Sequence, residues 1–271
     1  MASPRIRVGI RVGVGGWVYE PWRNNFYPAG WPQTRELEYA SQRLSAIEIN
    51  GTYYSTPTRS SVAKWRDSTP EDFVFSLKAS RFATNRRVLA EAGESVARFI
   101  GSGITELGPK LGPIVWQFAP TKRFDPVDFE AFLKLLPAQA EGLPLRHVMD
   151  VRHDSFRSPE YLALTRRHGV ATVLTESDEY PALFDAQADL VYARIMRTEA
   201  AHPEGCTPQT LDQLADCARL LHGGGLPAGM PLVEQAQDAP VGPREVFVFF
   251  ISGAKERAPA AAMGLMRRLT G

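Results

Sequence analysis

Cysteine and histidine are scarce in this chain, and their scarcity narrows the chemistry open to it. Its two cysteines, Cys206 and Cys217, are too far apart for a zinc knuckle and too few for a disulfide framework. We therefore expect reduced, structural thiols and a cytoplasmic location. Of the five histidines only His153 falls at a predicted strand end, so a multi-zinc hydrolase would lack its ligands. We expect no metal and no cofactor, with a single Mg²⁺ on Glu48 and Asp150 as the alternative.

The chain also lacks an excess of charge and any long apolar run. It has 31 basic and 30 acidic residues, a formal charge of +1, so no whole-protein field attracts nucleic acid or an anionic membrane. No apolar run approaches the roughly 20 residues of a membrane span, and arginines interrupt the apolar N-terminal residues, unlike a secretory signal. GxSxG and P-loop motifs are absent as well. We expect no membrane partner, and any preference for anions must be local.

Apolar runs alternate with amphipathic stretches through all 271 residues. The predicted strands are 8–14, 46–50, 73–78, 113–118, 147–152, 170–174, 190–195 and 245–252. The predicted helices are 34–44 with Thr34 as N-cap, 59–67, 88–107, 125–136, 158–168, 207–221 and 259–269, with a short helix at best after the sixth strand. Asp125-Pro126 is the start signal of helix 125–136, and Ser158-Pro159-Glu160 caps helix 158–168. This order predicts an α/β protein, a single-domain (β/α)8 TIM barrel over 1–271. The alternative, an open doubly wound sheet, would need a GxGxxG that begins a helix, whereas the glycines at 13–16 lead into an aromatic loop.

The stretch 146–156, RHVMDVRHDSF, shows how polar residues are placed on the predicted strands. Since side chains alternate along a strand, Asp150 and Arg152 share one face with Val148, and Met149 and Val151 share the other. The second, third, fourth and seventh strands divide in the same way. If the apolar faces pack on helices, the residues that point into the barrel are Glu48, Asn50, Lys78, Gln117, Asp150, Arg152, Tyr192 and Arg194. Most lie near carboxyl strand ends, where barrel enzymes place their sites.

The inward charges are two acids and three bases, a set that an anionic ligand would complete. The predicted catalytic residues are Glu48 or Asp150 as general base and His153 as acid. The predicted substrate-binding residues are Trp17, Asn50, Tyr53, Lys78, Arg81, Gln117, Arg152, Tyr192 and Arg194, in which arginines suit phosphate or carboxylate groups. The structural alternative is a lattice of buried ion pairs, Glu48 with Lys78 and Asp150 with Arg152.

An aromatic loop, WVYEPWRNNFYPAGW at 17–31, follows the first strand. Its rings are suited to stacking on sugars or bases at the barrel mouth. For Trp22, Phe26 and Trp31 we favour a small satellite core that covers the barrel. Trp17 and Tyr53 lie closest to strand ends and are the better ligand candidates.

Several segments of the chain carry specific motifs: GVGGWVYEPWRNNFYP (13–28), IEINGTYYSTP (47–57), Trp65, Thr69-Pro70, FSLKASR (75–81), KLGPIVWQFAP (110–120), VRHDSF (151–156) and VYARI (191–195). Together they resemble the YecE-like family, domain of unknown function seventy-two. The resemblance spans nearly the whole chain. It implies a TIM barrel and little about activity, because the family is functionally undefined.

The chain departs from the family pattern at the predicted mouth. Asp150 stands where the family usually has Glu, which keeps the acid but shortens it. Met196-Arg197 replaces the usual His-Gly after the seventh strand, and the residues at 251–253 replace an Asn-rich end of the eighth. Arg197 and Lys255 are expected to make the pocket of this member more basic.

Three functions remain open from the sequence. The first is an enzyme of hydrolase, lyase or isomerase type, acting on a small anionic substrate that is phosphorylated or sugar-like. The second is a nucleic-acid-binding or repair-associated protein that resembles endonuclease IV in fold only. It is favoured by basic residues on predicted mouth loops, which are Arg81, Arg86, Arg87, Arg197 and Lys255. The third is a non-catalytic barrel that binds a partner.

Overall fold

Eight parallel strands form a closed barrel in the computed structural model, which describes residues 9–234 and 242–270. In chain order, and numbered first to eighth below, they are Ile10–Gly15, Ala46–Ile49, Val74–Lys78, Leu111–Gln117, His147–Asp150, Ala171–Glu176, Leu190–Ile195 and Glu245–Phe250. Each pairs in parallel with its neighbours, and the eighth closes on the first with Val12 beside Val248. The predicted (β/α)8 class is confirmed. Val8, in the predicted first strand, lies outside the described residues, and the single domain over 1–271 stays a prediction.

Helices lie between most of the strands. They are α1 (Glu36–Ser41), α2 (Arg59–Asp67), α3 (Arg81–Thr84), α4 (Gly93–Ile100), α5 (Pro126–Leu133), α6 (Pro159–Arg167), α7 (Pro208–His222) and α8 (Ala258–Thr270). The side chains of Thr58, Asp125, Ser158 and Thr207 cap α2, α5, α6 and α7 by accepting amide hydrogens, as the start signals at Asp125 and Ser158 predict. No helix in the described ranges is long and apolar enough to cross a membrane.

Two helix predictions are wrong in their bounds. Thr34 is not an N-cap, because it lies inside a 3-10 turn, Gln33–Arg35, that precedes α1. The predicted helix 88–107 is broken into a 3-10 turn, α4 and a second 3-10 segment. The α-helix α4 ends at Ile100, and Gly103, whose φ of 96° belongs to the left-handed region, precedes the second 3-10 segment and prevents one continuous helix.

Other local features differ from the sequence expectations. The stretch 177–189, between the sixth and seventh strands, contains no helix, so the weak helix expected there is absent. The short helix α3 and a small antiparallel hairpin (Gln139–Ala140 with Leu143–Pro144) have no counterpart in the prediction. Both cysteines are free, as expected.

The core has two layers, and their separation confirms the predicted strand faces. One layer lies between the strands and the helices, with Ile47, Phe75, Trp116 and Met149 among its buried members. The other fills the barrel interior and consists of Ala46, Val74, Val115, Val148, Ala171, Val173, Leu190, Tyr192, Phe247 and Phe249. Stacked rings of Phe247 and Phe249, 6.1 Å apart, form part of this interior packing. The polar interior residues therefore rest on an apolar base.

The aromatic loop forms the predicted satellite core. Trp22 and Phe26 are buried and pack edge-to-face, with ring centroids 6.0 Å apart, and Trp31 packs on Tyr39 at 5.1 Å. The indole Nε1 of Trp22 donates a 2.8 Å hydrogen bond to the carbonyl oxygen of Lys255. This bond ties the loop after the first strand to the segment after the eighth.

Substitution of Gly13 should destabilise the barrel. An alanine Cβ at this position would lie 2.0 Å from the carbonyl oxygen of Ala46, a backbone atom of the second strand. We expect Gly13→Ala to lower the free energy of unfolding by about 1–3 kcal/mol, as overpacking does in cores. Gly242→Ala, with open space around the new methyl group, is the control. Equal denaturant midpoints for the two variants would contradict this close approach.

Candidate functional site

Arg194 occupies the centre of the barrel mouth and joins three strands. Its guanidinium, 1% exposed, extends from the seventh strand. Nη2 donates to Oε1 of Glu48 at 2.9 Å, and Nη1 donates to Oδ2 of Asp150 at 2.5 Å. Burial alone would lower the pKa of Arg194, but the two carboxylates raise it above its ordinary value. The arginine therefore stays charged and forms an ion pair with each of the two acids.

Tyr192 binds the second carboxylate oxygen of Glu48, and Ser76 lies against the Tyr192 hydroxyl. The Tyr192 hydroxyl donates to Oε2 of Glu48 at 2.7 Å and also lies 2.7 Å from Oγ of Ser76. Ser76 in turn donates to the carbonyl oxygen of Pro113 at 2.8 Å. Burial, and then the Glu48 charge, raise the pKa of Tyr192 well above its ordinary value, so the phenol remains a donor. Both oxygens of Glu48 are thus occupied.

Arg152 approaches the same cluster from just beyond the fifth strand. Its Nη2 donates to Oε1 of Gln117 at 2.8 Å and to Oδ2 of Asp150 at 3.1 Å. Its guanidinium carbon lies 4.3 Å from the ring centroid of Tyr180, which holds the group by a cation–π contact. The predicted Asp150–Arg152 ion pair is present.

Lys78 lies in the same interior but without a carboxylate partner. Its Nζ lies 4.4 Å from the ring centroid of Tyr53 and forms no ion pair within the described residues. The predicted Glu48–Lys78 pair is therefore wrong, because Arg194 takes that carboxylate. Burial, and then the nearby Arg194 charge, lower the pKa of Lys78 to about 8.

Three buried polar atoms of the cluster lack a hydrogen-bond partner: Oδ1 of Asp150, Nε of Arg152 and Nε of Arg194. Buried polar groups are almost always satisfied, so a group of three at one place is unusual. One is an acceptor and two are donors. A ligand that offers both a hydroxyl and an anionic oxygen would match them.

A cavity of about 590 Å³ opens at the ends of the first and second strands. It is lined by Gly15, Gly16, Trp17, Val18, Ile49, Asn50, Gly51, Thr52, Ser55, Thr56, Pro57, Thr58, Ser61, Trp65 and Lys255. Trp17 and Trp65 meet edge-to-face there, with centroids 5.7 Å apart. The charged cluster does not line this cavity, although Ile49 and Asn50 directly follow Glu48 in the chain.

Some predicted residues lie apart from the cluster. His153 caps a 3-10 turn, where its Nδ1 accepts the Ser155 amide at 3.1 Å, and no contact of the described residues joins it to the carboxylates. Arg81 lies near the exposed rings of Tyr54 and Phe82, with its guanidinium carbon 5.6 and 5.4 Å from their centroids. Arg197 is paired with Glu176 and Asp178, so it adds no free charge to the mouth.

The structure also adds residues that sequence reasoning missed. Ser76 shares the inward face with Lys78, and the alternation alone could have indicated it. Thr52 donates from Oγ1 to the carbonyl oxygens of Ile49 and Lys78, at 2.9 and 2.7 Å, and so joins the ends of two strands. Tyr180 lies in an irregular loop, for which no periodic signal exists.

The alternative of a single Mg²⁺ on Glu48 and Asp150 does not fit this donor set. A guanidinium already lies between the two carboxylates and uses one oxygen of each. A divalent cation there would meet a fixed positive charge. Elsewhere in 9–234 and 242–270, no three His, Cys, Asp or Glu side chains are grouped to hold a metal ion.

Loss of Arg194 should strongly destabilise the protein. Arg194→Met would remove the shared cation from two buried carboxylates, leaving Glu48 with Tyr192 alone and Asp150 with Arg152 alone, and about 3–5 kcal/mol of unfolding free energy is expected to be lost. Arg98→Met removes a pair that is exposed on both sides and serves as the control. Chemical denaturation measures both, and equal stability of the two variants would refute the central role of Arg194.

Comparison with known proteins places the chain in a family. The family model described as protein of unknown function DUF72 matches residues 11–271. The YecE protein (UPF0759) of Escherichia coli K12 is 28% identical over 149 residues, which are 52% of this chain and 52% of YecE. The match thus spans about half the length of this curated relative.

Solved structures support the same fold. A DUF72 family protein from Thermotoga maritima superposes with a TM-score of 0.71 at 20% identity, over 97% of this chain and 99% of that one. A second, from Enterococcus faecalis, gives 0.64 at 16% identity over 97% and 98%. SacUVDE gives 0.54 at 9% identity over 95% and 97%. At these identities the likeness shows the fold alone. Because the family model matches nearly the whole length of this chain, the chain belongs to the DUF72 family.

Proposed function

We propose that this chain is an enzyme that acts on a small anionic, hydroxylated substrate, sugar-like or phosphorylated, at the mouth of the barrel. The observation that carries the proposal is the set of unpartnered buried atoms on Asp150, Arg152 and Arg194. A buried polar atom without a hydrogen-bond partner lowers the stability of the folded protein. A bound substrate would supply the missing partners.

The charge of the cluster favours an anion. It contains two carboxylates, Glu48 and Asp150, against three cations, Lys78, Arg152 and Arg194. The cations exceed the carboxylates by one charge, and Lys78 is the cation that forms no ion pair among the described residues. In a buried site of low effective dielectric this surplus attracts a phosphate or carboxylate more strongly than it would in water.

The acid–base roles divide between the carboxylates. Glu48 has both oxygens engaged, so its role is to hold Arg194 and Tyr192 in place. Asp150 has a free Oδ1 and is the better general base for a substrate hydroxyl or an activated C–H group. His153 would have to leave its cap on Ser155 to act as an acid. The unpaired cysteines favour a cytoplasmic location for this activity.

Anion binding should depend on Arg152 and on pH. Glucose 6-phosphate and glucose form a matched anionic and neutral pair for calorimetric titration, and we expect only the phosphate to bind. Arg152→Met should weaken it about 10- to 100-fold, the effect of losing a charge-assisted hydrogen bond. Since the unliganded Lys78 loses its proton with a pKa of about 8, affinity should fall as the pH rises above that value. Lys78→Arg should remove this fall.

Arg98 forms an exposed ion pair with Glu94 outside the cluster, so Arg98→Met should bind glucose 6-phosphate like the unaltered chain. A panel of sugar phosphates and hydroxy acids followed by proton NMR tests catalysis, and Asp150→Asn should retain binding but lose turnover. Equal affinity for phosphate and neutral sugar would end the proposal. Silence across the panel would favour a non-catalytic, partner-binding barrel.

A nucleic-acid role is supported by one other observation. Tyr54 and Phe82 are 63% and 60% exposed, and Arg81 lies near both rings, 5.6 and 5.4 Å from their centroids. Exposed rings beside an arginine can stack on unpaired bases. Two other basic residues named for this role are already engaged, Arg86 with the Phe82 carbonyl oxygen and Arg197 with acids.

Fluorescence anisotropy with a single-stranded oligonucleotide tests this second function. If it holds, Arg81→Ala should weaken binding and lower the slope of log affinity against log salt concentration by about 1. Arg98→Ala provides the matched control for loss of a charge. Absence of binding at low salt, or binding that does not change with salt, would eliminate the role.

A further inference from the structure

Lys78 differs from the other lysines of the chain. Lys110 donates to backbone carbonyl oxygens of Arg66 and Thr69, while Lys122 and Lys134 pair with Asp128 and Glu130. Lys64 is exposed and Lys255 lies over the Tyr19 ring outside the interior cluster. Lys78 alone points into the barrel interior from the end of a strand, with 8% of its surface exposed.

Its isolation has a specific cause. Glu48 and Asp150 are the carboxylates of this interior, and the guanidinium of Arg194 binds both of them. The lysine is therefore left beside the cations Arg152 and Arg194 and over the Tyr53 ring, without an oxygen acceptor among the described contacts. Desolvation and neighbouring cations are the two devices by which proteins keep a lysine amine neutral and nucleophilic.

We propose that Lys78 forms a Schiff base with the carbonyl carbon of an anionic substrate, an aldehyde or a 2-oxo acid. The idea rests on the proposed function, because the anionic group is what Arg152 would hold. It adds the carbonyl group to the substrate class and gives Lys78 a covalent role.

The chemistry is balanced without a redox partner. The amine nitrogen adds to the carbonyl carbon, and the carbonyl π electrons move to oxygen, which takes up a proton as nitrogen loses one. The carbinolamine then loses its oxygen as water, and both original amine protons leave in that water to give the imine. Oδ1 of Asp150 is the free acceptor that can relay these protons, and Nε of Arg152 is the free donor for the anionic group.

The fraction of reactive amine agrees with this role. With a pKa of about 8, set by burial and then by Arg194, roughly one tenth of Lys78 is neutral at pH 7. Glu48 and Asp150 act in the opposite direction, and Arg152 adds to the lowering. An exposed lysine at its ordinary pKa is almost entirely protonated at that pH.

Reductive trapping tests the proposal on the unaltered full-length chain. Glyoxylate, an anionic aldehyde, is added at pH 7 with cyanoborohydride, which reduces an imine to a stable secondary amine. Peptide mass spectrometry then locates carboxymethyl-lysine among the six lysines. We expect Lys78 to be labelled on the order of a hundredfold faster than the exposed Lys64 and Lys134, reflecting its larger neutral fraction. Equal labelling of all three overturns the proposal.

Three variants separate a covalent role from a structural one. Lys78→Arg keeps the positive charge and should lose the label, while Lys64→Arg, at an exposed lysine outside the cluster, should keep both glucose 6-phosphate binding and the labelling of Lys78. Arg152→Met should slow labelling by glyoxylate but not by acetaldehyde, which carries no charge. Circular dichroism and thermal unfolding verify that all three variants are folded.

The outcomes distinguish the two proposals. Phosphate binding without selective labelling of Lys78 refutes the Schiff base and leaves the anion site standing. Selective labelling by both aldehydes, unaffected by Arg152→Met and without phosphate binding, supports a nucleophilic lysine and refutes the anion site. Loss of both signals in the unaltered chain refutes both.

Discussion

The double ion pair of Arg194 with Glu48 and Asp150 is the interaction on which the rest of the barrel mouth depends. It joins the second, fifth and seventh strands across the interior, at a depth where water cannot compensate an unpaired charge. Since one cation serves two acids, the positions of the other charged groups follow from it. Arg152 shares one carboxylate oxygen of Asp150 with Arg194, and Lys78 has no carboxylate partner.

The interior beneath this pair is filled by apolar side chains. Phe247, Phe249 and Tyr192 pack as near-parallel rings, and small or branched residues of the other strands fill the space around them. Tyr192 belongs to both layers, because its ring packs on the phenylalanines while its hydroxyl binds Glu48. The polar cluster therefore rests on a close-packed apolar floor, which limits the conformations open to its side chains.

The barrel mouth contains two regions, the charged cluster and a cavity formed by the loops. The satellite core of the aromatic loop holds Trp17 beside a cavity whose walls are mostly glycine, hydroxyl and indole groups. The charged cluster does not line that cavity, and it is the place at which we propose the anion site. A substrate with a charged end and a neutral hydroxylated body matches that combination, which is the reason to favour a sugar-like compound over a bare anion.

The sequence by itself determined the barrel and its faces. Period-two alternation placed Glu48, Asp150, Gln117 and Arg194 on the inward side, because a strand leaves each side chain only two directions. Periodicity on the helices and the caps at Asp125 and Ser158 set most of the element order. The sequence did not predict the break near Gly103, because a single glycine can lie within a helical pattern and only the backbone shows its conformation.

Only the tertiary structure decided which charges meet. Glu48 and Arg194 are 146 residues apart, and no local pattern distinguishes that pair from Glu48 with Lys78. Closure of the barrel decides it, because it brings strands together across the interior as well as beside one another. The same closure left Lys78 without an acid and Asp150 with a free oxygen. Pairing across a closed barrel is a property of the whole chain, which is why the inward charged residues could be named from the sequence but their partners could not.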